Sequence, residues 1–118
     1  MKGVHWIDLG PWPTGLAVTN DKRAYGKFMR AKKVPNAQPF PRPRHGLCKH
    51  MENDVGEAFF VIALGKFDDK IEMAASLAHE ATHAMRWILE FVGEKKPGTE
   101  TEAYLVEHIV KNGLKAIS

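Results

Sequence analysis

The run His79-Glu80-Ala81-Thr82-His83 places two imidazoles four residues apart, with a carboxylate directly after the first. On a helix, positions four apart lie on one face, about one turn from each other. Two neutral imidazoles so placed can both turn a ring nitrogen toward one ion. Imidazole is a good zinc donor, with bonds of about 2.0–2.1 Å. Glu80 is rotated about 100° from His79. It is badly placed to bind the same ion and well placed to reach a water held by it. Zinc lowers the pKa of such a water toward ~7. A carboxylate beside it takes the proton as the water attacks a carbonyl, then hands it to the leaving amine.

The chain has 118 residues, six histidines and nine glutamates. Chance gives roughly 0.02 matches to this spacing in such a chain, so the pattern carries information. The competing reading is two ordinary core or surface histidines around a helix-forming glutamate. A metal site without catalysis stands between the two.

A catalytic zinc uses three protein ligands and keeps one position open. The stretch Gly98-Thr99-Glu100-Thr101-Glu102-Ala103-Tyr104 supplies acidic candidates on a following helix. Glu100 and Tyr104 share a face, with small Ala103 beside them to let the two helices approach. Glu102 points toward the side of Val106 and Ile109. Thr99 and Glu102 have the spacing of a capping box, which gives Glu102 a structural task. Glu100 suits the positive end of the helix dipole. Glu102 is the alternative ligand, because an acid near an apolar face calls for a partner. Glu100 is preferred, and Glu107 and His108 are weaker candidates.

These residues need elements to hold them. Asp69 with Glu72 three residues later opens a helix in the manner of a capping box. Gly93 supplies its stop near Val92. Ile71, Ala74, Leu77, Ala78, Ala81, Met85, Ile88 and Phe91 cover more than one stripe, which predicts a central, largely buried helix. A last helix is expected from about Thr99 to Leu114, burying Ala103, Val106, Ile109 and Val110. Upstream, Ala58-Phe59-Phe60-Val61-Ile62-Ala63-Leu64 reads as a buried strand. The turn signal Asn53-Asp54-Val55-Gly56 pairs it with residues 47–51 as a hairpin. Residues 16–19 read as a short strand. Asn20 is the expected cap of a helix carrying Ala24, Tyr25, Phe28 and Met29 at helical spacing. Residues 35–46 hold four prolines and read as a loop.

The fold class that follows is α+β. A small mixed or antiparallel sheet packs on a central helix bearing the histidines and on a C-terminal helix. One domain over residues 1–118 is expected from the length. The single cysteine, Cys48, forms no internal disulfide and reads as a small buried hydrophobe. That usage fits a reducing, cytoplasmic setting. The first residues have no apolar run of signal-peptide length, and no stretch has the roughly 20 apolar residues that span a membrane. The net charge of +3 conceals an asymmetry. Residues 22–51 contain nine basic residues and no acid. Such a block is either a solvated face or a surface for nucleic acid or another acidic partner.

Taken together, H-E-x-x-H and the later Glu100-Thr101-Glu102-Ala103-Tyr104 resemble the zincin metallopeptidases. Their gluzincin branch places a glutamate on a later helix, often as E-x-x-A-D or E-x-E-A-N. The resemblance implies His79, His83 and Glu100 as zinc ligands and Glu80 as the base. Tyr104 departs from it, since an Asp or Asn there usually orients a ligand histidine. The stretch AHEATHAMRWILEFVGEKKPGTETEAYLVEHIV is also similar to small H-E-x-x-H proteins encoded by bacteriophages and prophages, over residues 47–112. That similarity implies a minimal zincin-like fold and a peptide or protein substrate without naming one. It makes the host cytoplasm the expected setting. In such folds an extended peptide lies along an edge strand. Residues 58–64 or their hairpin partner would be that strand here. Tyr104, Tyr25, His108 and Arg86 are candidates for a group that stabilises the developing oxyanion.

Overall fold

The segment A-F-F-V-I-A-L has no polar residue on either face, so a strand made from it must be covered on both sides. The computed structural model, which describes residues 2–12 and 14–117, does this. Among the described residues are four strands and three α-helices. In chain order they are β1 (His5–Asp8), β2 (Gly15–Thr19), α1 (Lys22–Ala31), β3 (Gly46–Glu52), β4 (Ala58–Leu64), α2 (Lys70–Phe91) and α3 (Thr99–Ile117). The sheet order is β1-β2-β4-β3. The β2–β4 pair is parallel, and the two outer pairs are antiparallel. This is a mixed α+β fold, as the sequence predicts.

Alternate side chains of β4 serve two cores. Phe60, Ile62 and Leu64 pack with Leu77, Ala81, Ile88, Leu105 and Ile109 of α2 and α3. Phe59, Val61 and Ala63 pack with Tyr25, Phe28 and Met29 of α1 on the other face. Burying each large apolar side chain stabilises the fold by roughly 1.5–3 kcal/mol. The β3–β4 hairpin closes on Asn53. Its side-chain oxygen accepts from the backbone N–H groups of Val55 and Glu57. Gly56 takes the positive φ of +83° that the turn needs.

Helix ends follow local chemistry. The Asp69 carboxylate accepts from Ile71 N at 2.7 Å and opens α2. Gly93, at φ +84°, lets the chain leave it. The cap of α1 is Asp21, one residue beyond the expected Asn20, and its carboxylate accepts from Ala24 N. Glu102 N donates to Gly98 O, so Gly98 precedes the first turn of α3. Thr99 is therefore inside the helix, and the expected capping box does not form.

One strand lies outside the expected elements, and two other expectations are corrected. β1 was not expected; it is held by one buried side chain, Ile7, and by Trp6 lying over Gly15. A Cβ at Gly15 would collide with that indole at 1.8 Å. Ala103 is exposed, and α3 buries Leu105, Ile109 and Gly113. Close approach of α2 and α3 occurs at Gly113, where a Cβ would lie 3.1 Å from both δ-carbons of Leu77. Finally, α2 is not buried all round. Ile71 and Phe91 are exposed, as is an outward stripe carrying His79, Thr82, His83 and Arg86. Among the described residues, no helix is long and apolar enough to cross a membrane.

Candidate metal centre

The inward face of α2 fixes its outward one. Leu77, Ala81, Ala84 and Ile88 lock the helix against the sheet. The helical repeat then turns His79 and His83 outward and Glu80 toward β3. The Nε2 atoms of His79 and His83 are 3.2 Å apart, with the rings nearly perpendicular at 77°. Two zinc–nitrogen bonds at a tetrahedral angle would separate the donors by about 3.3–3.4 Å. The pair thus fits one ion with little movement. Without an ion, the same distance suits a hydrogen bond from one ring to the other.

Ligand atoms of His79, Glu80 and His83 all lie within 4.8 Å of one another. Both histidines are exposed, while Glu80 keeps only 7% of its surface. Among the described residues, no hydrogen bond or ion pair engages the Glu80 carboxylate. Its oxygens are not among the fully buried polar atoms that lack a partner, so they open to the surface beside the histidines. There they can meet an adjacent cation or a water held by one.

Gly46, at the start of β3, is what makes room for this carboxylate. A Cβ there would stand 2.8 Å from Glu80 Oε2 and 2.9 Å from Ser76 Oγ. Sequence reasoning assigned Gly46 to a loop and gave it no role. Its only signal was a glycine just ahead of an apolar strand, which marks a close backbone approach. Cys48, two residues on, faces the same side of the sheet. Burial, and then the nearby Glu80 charge, push its thiol up to about 12, with Lys49 opposing. Cys48 is therefore a protonated packing residue, as expected.

β3 is an edge of the sheet, whereas residues 58–64 lie inside it between β2 and β3. Of the two strands considered for holding a peptide, the hairpin partner is the one with a free edge. Bonds at both ends of the hairpin, Gly65 N to His45 O and Asn53 N to Glu57 O, set its phase. Odd-numbered residues of β3 bond to β4. Gly46, Cys48 and His50 thus turn their N–H and C=O groups to the open edge. On the same seam, one turn beyond His83, a hollow of about 510 Å³ is lined by Lys49, His50, Phe60, Trp87, Glu90 and Phe91.

Glu100 is exposed in the first turn of α3 and lies outside the His79–Glu80–His83 group. Glu102 is half-buried and lines a hollow with Arg86, Leu89 and Glu90. The start of α3 therefore sits beside α2 about one turn past His83. Tyr104 is 64% exposed and borders a hollow with Leu9, Trp12 and His108. Two candidates for oxyanion stabilisation have other tasks. Tyr25 lies on the buried face of α1, on the far side of the sheet, and donates to Gln38 O. His108 donates from Nε2 to Asp8 O at 2.6 Å, tying α3 to β1.

No protein-family model, curated protein or solved structure matches this chain. The local geometry therefore carries the functional reading.

Proposed function

We propose that this chain is a zinc-dependent peptidase with His79 and His83 as ligands, Glu100 as the third ligand and Glu80 as general base. One observation carries the reading. Two imidazole nitrogens stand at the spacing of a shared tetrahedral ion, with the carboxylate of a largely buried glutamate within 4.8 Å. Zinc held there would supply a Lewis acid and make a water acidic near neutral pH.

The chain's own groups divide the remaining work. Glu80 accepts a proton from the attacking water and delivers it to the leaving nitrogen. Gly46 lets Glu80 reach the seam where the substrate lies. The open edge of β3 holds an extended peptide by main-chain hydrogen bonds. The aromatic hollow at Trp87 and Phe91 takes an apolar side chain of that peptide. Glu100 lies outside the histidine group, so its coordination would need the first turn of α3 to move toward His83.

A second reading is a metal-binding module without useful proteolysis. It is favoured by the position of Glu100 outside the cluster and by Tyr104 lying away from the histidines. Glu80→Gln separates the two. A peptidase keeps its zinc and loses turnover on a quenched-fluorescence peptide library by about 100-fold or more. If the wild-type protein, loaded with zinc, cleaves nothing in that library or in denatured protein, the module reading replaces the peptidase.

A further inference from the structure

The acid-free basic block is dispersed in sequence, and the fold gathers it. α1 buries Ala24, Tyr25, Phe28 and Met29, so Lys22, Arg23, Lys27 and Arg30 face outward. The proline-rich loop then folds back onto this helix. Gln38 O accepts from the Tyr25 hydroxyl, and Phe40 packs edge-on against the Tyr25 ring at 5.5 Å. This return places two adjoining hollows beside α1. One, of about 550 Å³, is lined by Lys22, Arg42 and Lys66. The other, of about 380 Å³, is lined by Lys22, Arg30 and Lys33. They share Lys22 and Phe40, and no acidic residue lines either. Lys66 lies outside the basic block in sequence and joins it only through the fold.

These five cations are uncompensated. Among the described residues the only ion pair is Lys32–Glu57, which involves none of them. Of the acids nearest in sequence, Asp21 is held as a helix cap, while Asp68 is exposed and forms no ion pair with Lys66. We propose that this face binds the phosphate backbone of nucleic acid. Closely spaced phosphates match a continuous cationic band, and arginine forks suit phosphate oxygens. A membrane surface is a poorer match, because none of the large exposed apolar residues lines either hollow. α1 and the histidine-bearing helix pack on opposite faces of the sheet, and the larger hollow reaches only the first turn of that helix, at Met73. The proposal is independent of whether Glu80 catalyses anything.

The test is fluorescence anisotropy of a labelled 20-base-pair DNA duplex over a salt series. Each neutralised phosphate contributes a slope of about −0.9 in log affinity against log salt. Five contacts predict a slope of about −4 to −5, and a loss on the order of a few hundred-fold between 50 and 200 mM salt. The triple variant Lys22→Gln, Arg30→Gln, Arg42→Gln should bind at least tenfold more weakly, with a slope near about −2. Its zinc content and far-ultraviolet circular dichroism should match wild type. If the triple variant misfolds, the wild-type slope alone decides. No binding at 50 mM salt, a wild-type slope shallower than about −2, or equal affinity in a folded triple variant would each overturn the proposal. So would tighter binding to polyglutamate or to phosphatidylserine vesicles than to the duplex.

Discussion

The Glu80 carboxylate lies where a Cβ on Gly46 would be, at 2.8 Å from Oε2. An edge strand and the helix of the histidines therefore meet at a position only glycine can fill without displacement. Gly46→Ala should push Glu80 off the seam while leaving His79 and His83 in place. Turnover should fall by about tenfold or more, zinc should be retained, and stability should drop by no more than about 1 kcal/mol, because the atoms displaced are side-chain ends of Glu80 and Ser76. Peptide hydrolysis, metal analysis and urea unfolding on one preparation check all three. Unchanged turnover would mean that the position of Glu80 does not matter to the chemistry.

Metal binding should be visible in stability. Zinc at about 100 times its dissociation constant adds about 2.7 kcal/mol to a folded state that alone binds it. For a chain of this size that raises the melting temperature by roughly 10 °C. His83→Ala should remove the shift, and chelation should reverse it in wild type. Differential scanning fluorimetry with and without zinc reads this directly. An equal shift in His83→Ala would place the ion elsewhere.

Cys48 gives a prediction with a definite sign in pH. Its thiol is raised from 9.0 to about 12 by burial and by Glu80. The folded state holds a proton that the unfolded chain releases above about pH 9. The contribution of Cys48 is therefore fully present below that pH and is lost as pH rises toward 12. Cys48→Ala should show a flatter alkaline stability curve than wild type. In the native protein at pH 8, the thiol should react with a disulfide reagent far more slowly than in urea.

The contact between α2 and α3 depends on Gly113. A Cβ there would lie 3.1 Å from both δ-carbons of Leu77. Gly113→Val should destabilise by about 1–3 kcal/mol, since the added bulk has no space. Shortening Leu77 should recover part of that loss in the double variant, a coupling that urea midpoints of the four proteins would measure.

Much of the frame was legible because it rests on local chemistry. Asp69 and Gly93 delimit α2 through a cap and a positive φ. Asn53 and Gly56 make the hairpin turn, and the unbroken apolar run of β4 announces a covered strand. What escaped depends on tertiary contact. The four residues of β1 bury one side chain, too few for a pattern. Gly46 and Gly113 matter only once another element lies against them. Ala103 was expected to face α2, but the rotation of α3 is set by Leu105 and Ile109. The histidines and Glu80 were readable because a helix fixes their mutual placement. The third ligand was not, because its position depends on how α3 returns along α2.

The central claim is that His79 and His83 share one metal ion. The most direct measurement is zinc stoichiometry by mass spectrometry, on protein purified without chelator and equilibrated with zinc, for wild type and His79→Ala. The account predicts close to one zinc per wild-type chain and essentially none in the folded variant. Zinc-free wild type, or a His79→Ala protein that keeps its full complement, would contradict it.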